Sequence, residues 1–185
     1  MAEPGDFLED VGAVANALGD LGLMPVLVGG MALVILGSRR VTRDFDFVIA
    51  EPGDRLEEVI AVFYDRGLEL ASRVNDDGDV VATIGNPRVA AIRLRHDSPS
   101  SAYFFNRSTR LRIDLLFDFP IPAADLMKRA TRMKIRSEVL HVASDHDLLR
   151  LKQIARADRS VAADAQDIEF LEARLKKAAK QRKGR

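Results

Sequence analysis

The segment Val26–Ile49 reads VLVGGMALVILGSRRVTRDFDFVI and joins a glycine pair after one apolar run to two aspartates inside another. The second run is short, rich in aromatic and β-branched residues, and alternates with polar residues, which favours a strand over a helix. Side chains two residues apart share one face of a strand. The pattern therefore places Asp44 and Asp46 on one face, and Phe45 and Phe47 on the other, where they can pack in a core.

The same alternation, continued towards the N-terminus, places Arg40 and Thr42 beside the aspartates and Val41 on the core face. Two aspartates one strand repeat apart on a buried sheet repel each other and lose their hydration, unless a cation lies between them. Magnesium characteristically binds one or two protein carboxylates together with the phosphates of a substrate. The sequence therefore predicts a metal site at Asp44 and Asp46.

A third carboxylate is expected from a neighbouring strand, in the segment LRIDLLFDF that begins at Leu111. Asp114 has apolar residues on both sides in this predicted strand, a position that is costly for a carboxylate without a partner. Asp118 lies near the end of the strand and close to Pro120, so we interpret it as a solvated strand terminus. We assign Asp114 to the metal site.

These residues carry a resemblance to a known family. The motifs are Gly29-Gly30, Gly37-Ser38, Arg40-x-Thr42-x-Asp44-x-Asp46 and Ile113-Asp114-Leu115-Leu116. Together they resemble the nucleotidyltransferase-fold superfamily of the polymerase-beta type, and most of all the bacterial AbiEii/AbiGii toxin-type nucleotidyltransferases. Minimal nucleotidyltransferases and aminoglycoside nucleotidyltransferases are relatives in that superfamily. The likeness runs from about Leu23 to Leu171.

The resemblance implies transfer of a nucleoside monophosphate from a nucleoside triphosphate (NTP) to a hydroxyl acceptor, with loss of pyrophosphate. It implies that the catalytic residues, which also bind two Mg²⁺ ions, are Asp44, Asp46 and Asp114. It implies that the residues binding the nucleotide co-substrate are Gly29, Gly30, Ser38, Arg40, Thr42 and Lys152.

Lys152 is predicted to lie on a helix capped by Ser144, inside the apolar sector and beside Leu148. A lysine directed inward needs an anion. In the family, the equivalent lysine of a Leu-x-x-Leu-Lys pattern is expected to contact the triphosphate. The alternatives are that Lys152 extends its ammonium group to solvent, or that it forms a structural ion pair with Asp164 or Asp167.

The fold class predicted is α+β, with a mixed β-sheet, flanking helices and a C-terminal helical pair. We expect residues 1–142 to form a nucleotidyltransferase core and residues 143–185 a helical segment packed on it, as one compact unit. Between the two aspartate motifs, Val89–Arg95 is interpreted as a strand and Tyr103–Arg110 as a loop near the site. A short hairpin is expected at Lys134–Val142, followed by helices from Ser144 to about Ala157 and at Ala162–Ala179.

Composition narrows the functional classes. With 185 residues, 47% of them hydrophobic, the chain can bury a substantial core. The absence of cysteine excludes disulfides and thiolate metal sites. No apolar stretch has the length of a membrane span, and the acidic N-terminus is unlike a signal peptide, so we expect a cytoplasmic protein with no membrane partner.

The formal net charge is zero, which argues against a protein that coats nucleic acid. Basic residues nevertheless crowd the C-terminus at Lys176, Lys177, Lys180, Arg182, Lys183 and Arg185. Such a run is either a solvated helix end or an arm that binds RNA.

Three functions remain open at the level of sequence. The first is an enzyme of the toxin–antitoxin type that modifies RNA, such as a tRNA end, or a protein acceptor, with an antitoxin as partner. The second is a regulatory or antitoxin-like protein that binds nucleotide at the same site without turnover. The third is an aminoglycoside nucleotidyltransferase, for which Asp76, Asp77 and Asp79 could supply an acidic pocket.

Overall fold

The computed structural model describes residues 7–158 and 162–183, and within them one eight-stranded mixed sheet forms the centre of the molecule. The strands are β1 (Val26–Val28), β2 (Asp44–Ile49), β3 (Glu69–Val74), β4 (Val80–Ile84), β5 (Ser101–Phe105), β6 (Arg112–Phe117), β7 (Thr131–Ile135) and β8 (Glu138–Val142). Their order across the sheet is β4-β3-β5-β6-β2-β1-β8-β7. Strands β2 and β6 are parallel, as are β1 and β8, and the other neighbours are antiparallel.

Helices flank this sheet. They are α1 (Leu8–Asp20), α2 (Gly29–Ile35), α3 (Leu56–Tyr64), α4 (Pro87–Asp97), α5 (Ala123–Met127), α6 (Asp145–Asp158) and α7 (Ala162–Lys183), with a 3₁₀ turn at Gly53–Arg55. The α+β class with a mixed sheet and flanking helices is confirmed. Among the described helices, none combines the length and the apolar character required to cross a membrane.

The central strands separate a core face from a polar face. Phe45 on β2 lies opposite Ile113 on β6, and Ile113 lies opposite Phe104 on β5, so the three side chains share the core face. Helix α3 covers this face, where Phe63 stacks on Phe104 with ring centroids 3.9 Å apart. Burial of each such ring contributes roughly 1.5–3 kcal/mol. The next residue on each strand points to the opposite face, as the alternation in the sequence predicts.

The expectation of a strand at Val89–Arg95 is wrong, because this segment belongs to helix α4. The side chain of Asn86 accepts hydrogen bonds from the backbone N–H groups of Arg88 and Val89, and Pro87 occupies the first turn. This is a favourable helix start, in which the missing N–H of proline has no cost. The alternation of apolar residues in the segment reflects a narrow buried stripe on the helix rather than a strand.

Two further expectations require correction. The segment predicted as the loop Tyr103–Arg110 begins inside strand β5, since residues up to Phe105 pair with β6 and β3. Val41 was expected to pack in the core, but it is 89% exposed. Pairing of β2 starts at Asp44, so the strand alternation does not extend to Arg40, Val41 and Thr42.

The C-terminal helices pack on each other, and α6 also contacts α2. Ser144 caps α6 as predicted: its hydroxyl accepts a hydrogen bond from the backbone N–H of Asp147 at 3.2 Å and donates one to the carboxylate of that residue at 2.7 Å. The predicted hairpin before it is present as β7 and β8. The expected boundary between core and helical segment, near residue 142, falls at the end of β8.

Candidate functional site

Three aspartates meet on the polar face of the central strands. Asp46 on β2 lies directly opposite Asp114 on β6, and Asp44 lies two residues before Asp46 on the same face. Neighbouring strands are about 4.8 Å apart, so the side chains of Asp46 and Asp114 start close together. The register of two parallel strands therefore brings together carboxylates that are far apart in sequence.

A cavity of about 450 Å³ opens above this row of carboxylates. Eight of the nine residues predicted for the site line it: Gly29, Gly30, Arg40, Thr42, Asp44, Asp46, Asp114 and Lys152. Ser38 is outside the lining. Its hydroxyl instead accepts a hydrogen bond from the backbone N–H of Arg40 at 3.3 Å, so it stabilises the segment that carries Arg40. Apolar residues of α6, among them Leu148 and Leu151, form the opposite wall.

Asp114 has an environment that disfavours its charge. Its Oδ1 atom is buried, and no group in the described part of the chain donates a hydrogen bond to it. Burial, followed by the nearby charges of Asp46 and Asp44, raises the pKa of Asp114 to about 8. Burial also raises the pKa of Asp44, against the opposing effect of Arg112 and Arg40. A cation at this position would relieve all of these costs.

The glycine pair makes room for site side chains. Gly29 has φ +67°, and a Cβ atom on it would lie 1.9 Å from Oδ2 of Asp46. A Cβ atom on Gly30 would lie 2.7 Å from Nε of Arg40. A side chain at either position would thus displace a predicted site residue. Both glycines belong to the first turn of α2, where backbone N–H groups have no acceptor within the helix and favour anions.

Lys152 forms ion pairs with Asp164 and Asp167, which was one of the alternatives that the sequence left open. Its Nζ atom lies 3.1 Å from Oδ1 of Asp164 and 2.8 Å from Oδ2 of Asp167. The same Oδ2 atom of Asp167 also accepts a hydrogen bond from Nη1 of Arg40. The structural ion pair is therefore confirmed, and contact between Lys152 and a phosphate stays a prediction.

Sequence reasoning missed two residues of the site. Arg112 lies opposite Asp44 in the strand register, with Nη1 3.8 Å from Oδ1 of Asp44 and Nη2 3.0 Å from Oδ1 of Asp79. Tyr103 lies opposite Asp114 and lines the cavity. Burial, the charge of Asp44 and that of Asp114 raise the pKa of Tyr103 to about 12, despite an opposing effect of Arg112, so its hydroxyl stays a hydrogen-bond donor. Alternation in Ser101–Phe105 was the available signal for Tyr103.

The donor set fits a hard divalent cation that shares its coordination with a substrate. Within the described residues, no three His, Cys, Asp or Glu side chains form a complete ion-binding group. Magnesium does not require one, because it retains waters and uses one or two carboxylates together with substrate phosphates. The Oδ1 atom of Asp114, which has no partner among the described residues and lies beside Asp46, is a suitable ligand of this kind.

Comparisons with known proteins connect this geometry to a fold. No family model matches the sequence, and no curated protein matches it. Among solved structures, the antibiotic-resistance factor ANT(2'')-Ia is similar at 11% identity, with a TM-score of 0.60, over 94% of this chain and 86% of that one. The lincosamide antibiotic adenylyltransferase LnuA, bound to lincomycin, matches at 12% identity, with a TM-score of 0.55, over 89% and 95%.

A third similar structure is the Megavirus polyadenylate synthase, at 11% identity and a TM-score of 0.52, where the match covers 91% of this chain and 31% of that one. At these sequence identities the comparisons show the fold alone. They do not confirm the AbiEii/AbiGii subtype. The chain therefore has the nucleotidyltransferase fold.

Proposed function

We propose that this protein transfers a nucleoside monophosphate from an NTP, such as ATP, to a hydroxyl acceptor. The observation that carries the proposal is the meeting of Asp44, Asp46 and Asp114 on one face of two parallel strands, in a cavity that also contains a glycine turn and two cationic side chains. Among the described residues, Asp164 also has a buried oxygen without a partner, but its other oxygen pairs with Lys152, whereas the charges that act on Asp114 are those of two further carboxylates, Asp46 and Asp44.

In this proposal the acceptor oxygen attacks the α-phosphorus while the bond from that phosphorus to the bridging oxygen of pyrophosphate breaks. The proton of the acceptor hydroxyl passes to the carboxylate of Asp114, and pyrophosphate leaves. Two Mg²⁺ ions held by Asp44, Asp46 and Asp114 would stabilise the attacking and the leaving oxygens. Arg40 and Lys152 would offset the charge of the triphosphate, and the N–H groups of the glycine turn would donate to it.

For the acceptor we propose RNA, with a tRNA end as the first substrate to test. The acidic turn that could bind a cationic aminoglycoside is already neutralised in part, because Asp79 pairs with Arg112 at 3.0 Å and with Arg110 at 3.6 Å. The end of α7 is basic and exposed at Lys176, Lys177, Lys180 and Arg182. A polyanionic acceptor suits these charges better than a cationic antibiotic does.

A transfer assay tests this function. The protein is incubated with each labelled NTP, Mg²⁺ and total bacterial RNA, and label is expected on RNA. Asp114→Asn should abolish transfer, while Asp54→Asn, an exposed aspartate outside the cavity, should leave it intact. Label on added protein or aminoglycoside, but not on RNA, would refute the proposed acceptor. If no acceptor is labelled with any NTP, the enzymatic function is refuted, and the alternative is a regulatory protein that binds nucleotide without turnover.

Calorimetric titration tests the metal-dependent part separately. NTP with Mg²⁺ should bind the wild-type chain, and Asp44→Asn combined with Asp46→Asn should weaken that binding strongly while the fold survives. Equal affinity in the double variant would refute the metal site. The toxin–antitoxin role, which we also propose, predicts that induced expression arrests bacterial growth and that Asp114→Asn removes the arrest.

A further inference from the structure

We infer that Asp167 on α7 is a positioning residue for the nucleotide, which holds Arg40 and Lys152 side by side facing the triphosphate. This inference rests on the proposed function, because it assigns the source of the affinity for phosphate within the same site. It concerns a residue that neither lines the cavity nor belongs to the carboxylate row.

The first observation is one shared oxygen. Oδ2 of Asp167 accepts a hydrogen bond from Nη1 of Arg40, and it lies 2.8 Å from Nζ of Lys152. Two nitrogens bound to the same oxygen lie within about 6 Å of each other, which is twice a hydrogen-bond length. Two cations at this separation repel each other unless an anion lies between them. Asp167 supplies that anion.

The second observation is the position of the cations and the carboxylates relative to the cavity. Arg40 and Lys152 line the cavity, whereas Asp164 and Asp167 do not. The side chain of Asp167 is only 4% exposed, compared with 26% for Arg40. The carboxylate therefore lies behind the cations as seen from the cavity, and it leaves their other side available to an anion. A carboxylate that occupied the triphosphate position would itself line the cavity.

The third observation is that the two cations come from separate parts of the chain. Arg40 lies in the segment between α2 and β2, outside regular secondary structure, and its guanidinium crosses the face of Gly30. Lys152 reaches the site from α6 through a long, flexible side chain. Asp167 connects both to a third element, α7, so that one ordered carboxylate fixes two side chains from separate parts of the chain. Asp164 adds a second contact to Lys152 at 3.1 Å.

The test compares phosphate-dependent affinity in the full-length chain. Binding of an NTP and of its nucleoside, both with Mg²⁺, is measured by calorimetry for wild type, Asp167→Asn and Asp167→Glu. Asp167→Asn should weaken NTP binding by about tenfold. Metal affinity falls on a similar scale when a residue that orients a metal ligand is removed. Nucleoside affinity should stay unchanged, a separation that a loss of global structure cannot produce. The longer Asp167→Glu side chain, which keeps the charge, should give an intermediate NTP affinity.

Glu172→Gln is the matched control, since Glu172 is an exposed carboxylate on the same helix whose ion pair is with Lys176. A double-mutant cycle with Arg40→Ala adds a second readout. If Asp167 acts through Arg40, the two substitutions together weaken NTP binding by less than the product of their separate effects.

The outcomes are distinct for the two proposals. If wild-type protein binds no NTP, the proposed function fails. If wild type binds and Asp167→Asn binds equally well, the positioning role is refuted. Tighter binding by Asp167→Asn also refutes it, and would mean that the carboxylate competes with phosphate for the two cations. If Asp167→Asn does not fold, Asp167→Glu decides, because wild-type affinity in that variant would show that the placement of the cations is unimportant.

Discussion

Replacement of Asp114 by asparagine should stabilise the metal-free protein, and more so as the pH rises. The reason is the buried Oδ1 atom without a hydrogen-bond donor among the described residues, together with the charges of Asp46 and Asp44. Burial is the largest cause of the raised pKa, which changes from 3.8 to about 8. Asparagine has nearly the same shape and no charge, so it removes the cost of ionisation while the packing is retained.

The size of the effect follows from linkage between protonation and folding. Between the two pKa values the folded protein retains a proton on Asp114 that the unfolded chain has lost. The stabilisation from the neutral carboxyl is therefore complete below about pH 4 and is lost as the pH rises towards about 8. The free energy of unfolding falls by about 1.4 kcal/mol per pH unit in this range, or at most about 2.7 kcal/mol between pH 5 and pH 7.

Urea denaturation at pH 5 and pH 7, with chelator present, measures this difference. The free energies of unfolding of wild type and Asp114→Asn should differ by up to about 2.7 kcal/mol more at pH 7 than at pH 5. Asp54→Asn, an exposed substitution, should differ from wild type by the same amount at both pH values. Adding Mg²⁺ at pH 7 should stabilise wild type and not Asp114→Asn. A pH-independent difference between wild type and Asp114→Asn would refute the assignment of a neutral carboxyl in the metal-free site.

Three other substitutions test the surroundings of the site. Gly29→Ala should cost more stability than Gly37→Ala in urea denaturation. Both glycines have positive φ, but only at Gly29 would the new Cβ atom meet Asp46. Equal losses would contradict the close approach of Gly29 to Asp46. Lys152→Ala should lower both thermal stability and NTP affinity, because it removes the partner of Oδ1 of the buried Asp164, whose Oδ2 atom already has none among the described residues. Unchanged stability would mean that the ion pairs contribute nothing to folding. Ser144→Ala should cost about 1 kcal/mol through loss of the cap on α6, and a melting temperature equal to that of wild type would exclude that role.

The three aspartates could be predicted from the sequence because their placement depends on the two-residue alternation of side chains along a strand. Alternation in a strand fixes that Asp44 and Asp46 share a face, and an aspartate between apolar residues identifies Asp114. The strand register places Asp46 opposite Asp114. Arg112 lies on the same strand face by the same alternation, but the sequence analysis missed it. Its partner Asp79 lies on another hairpin, and no local pattern indicates that contact.

The incorrect interpretations have local causes. Val89–Arg95 has an apolar pattern compatible with a strand, but Asn86 followed by Pro87 is a helix start, and this signal outweighs the alternation. The segment Tyr103–Arg110 was placed in a loop as a whole, although its first three residues are aromatic and favour a strand, and only the residues after Phe105 are polar. Pairing of Tyr103 with β6 and packing of Phe104 on Phe63 agree with the strand composition of the first part.

The two halves of the candidate site, the carboxylates and the cations, differ in how the chain holds them in place. The carboxylates are attached to paired strands, so the whole sheet register would have to change before Asp46 and Asp114 could separate. The cations are held by carboxylates of α7: Asp167, which is 127 residues from Arg40 in the sequence, contacts both, and Asp164 also contacts Lys152. An incoming phosphate can therefore adjust the positions of Arg40 and Lys152 without disturbing the strands. A rigid ligand set suits a metal ion with strict geometry, and an adjustable pair of cations suits a triphosphate that must bind and leave as pyrophosphate.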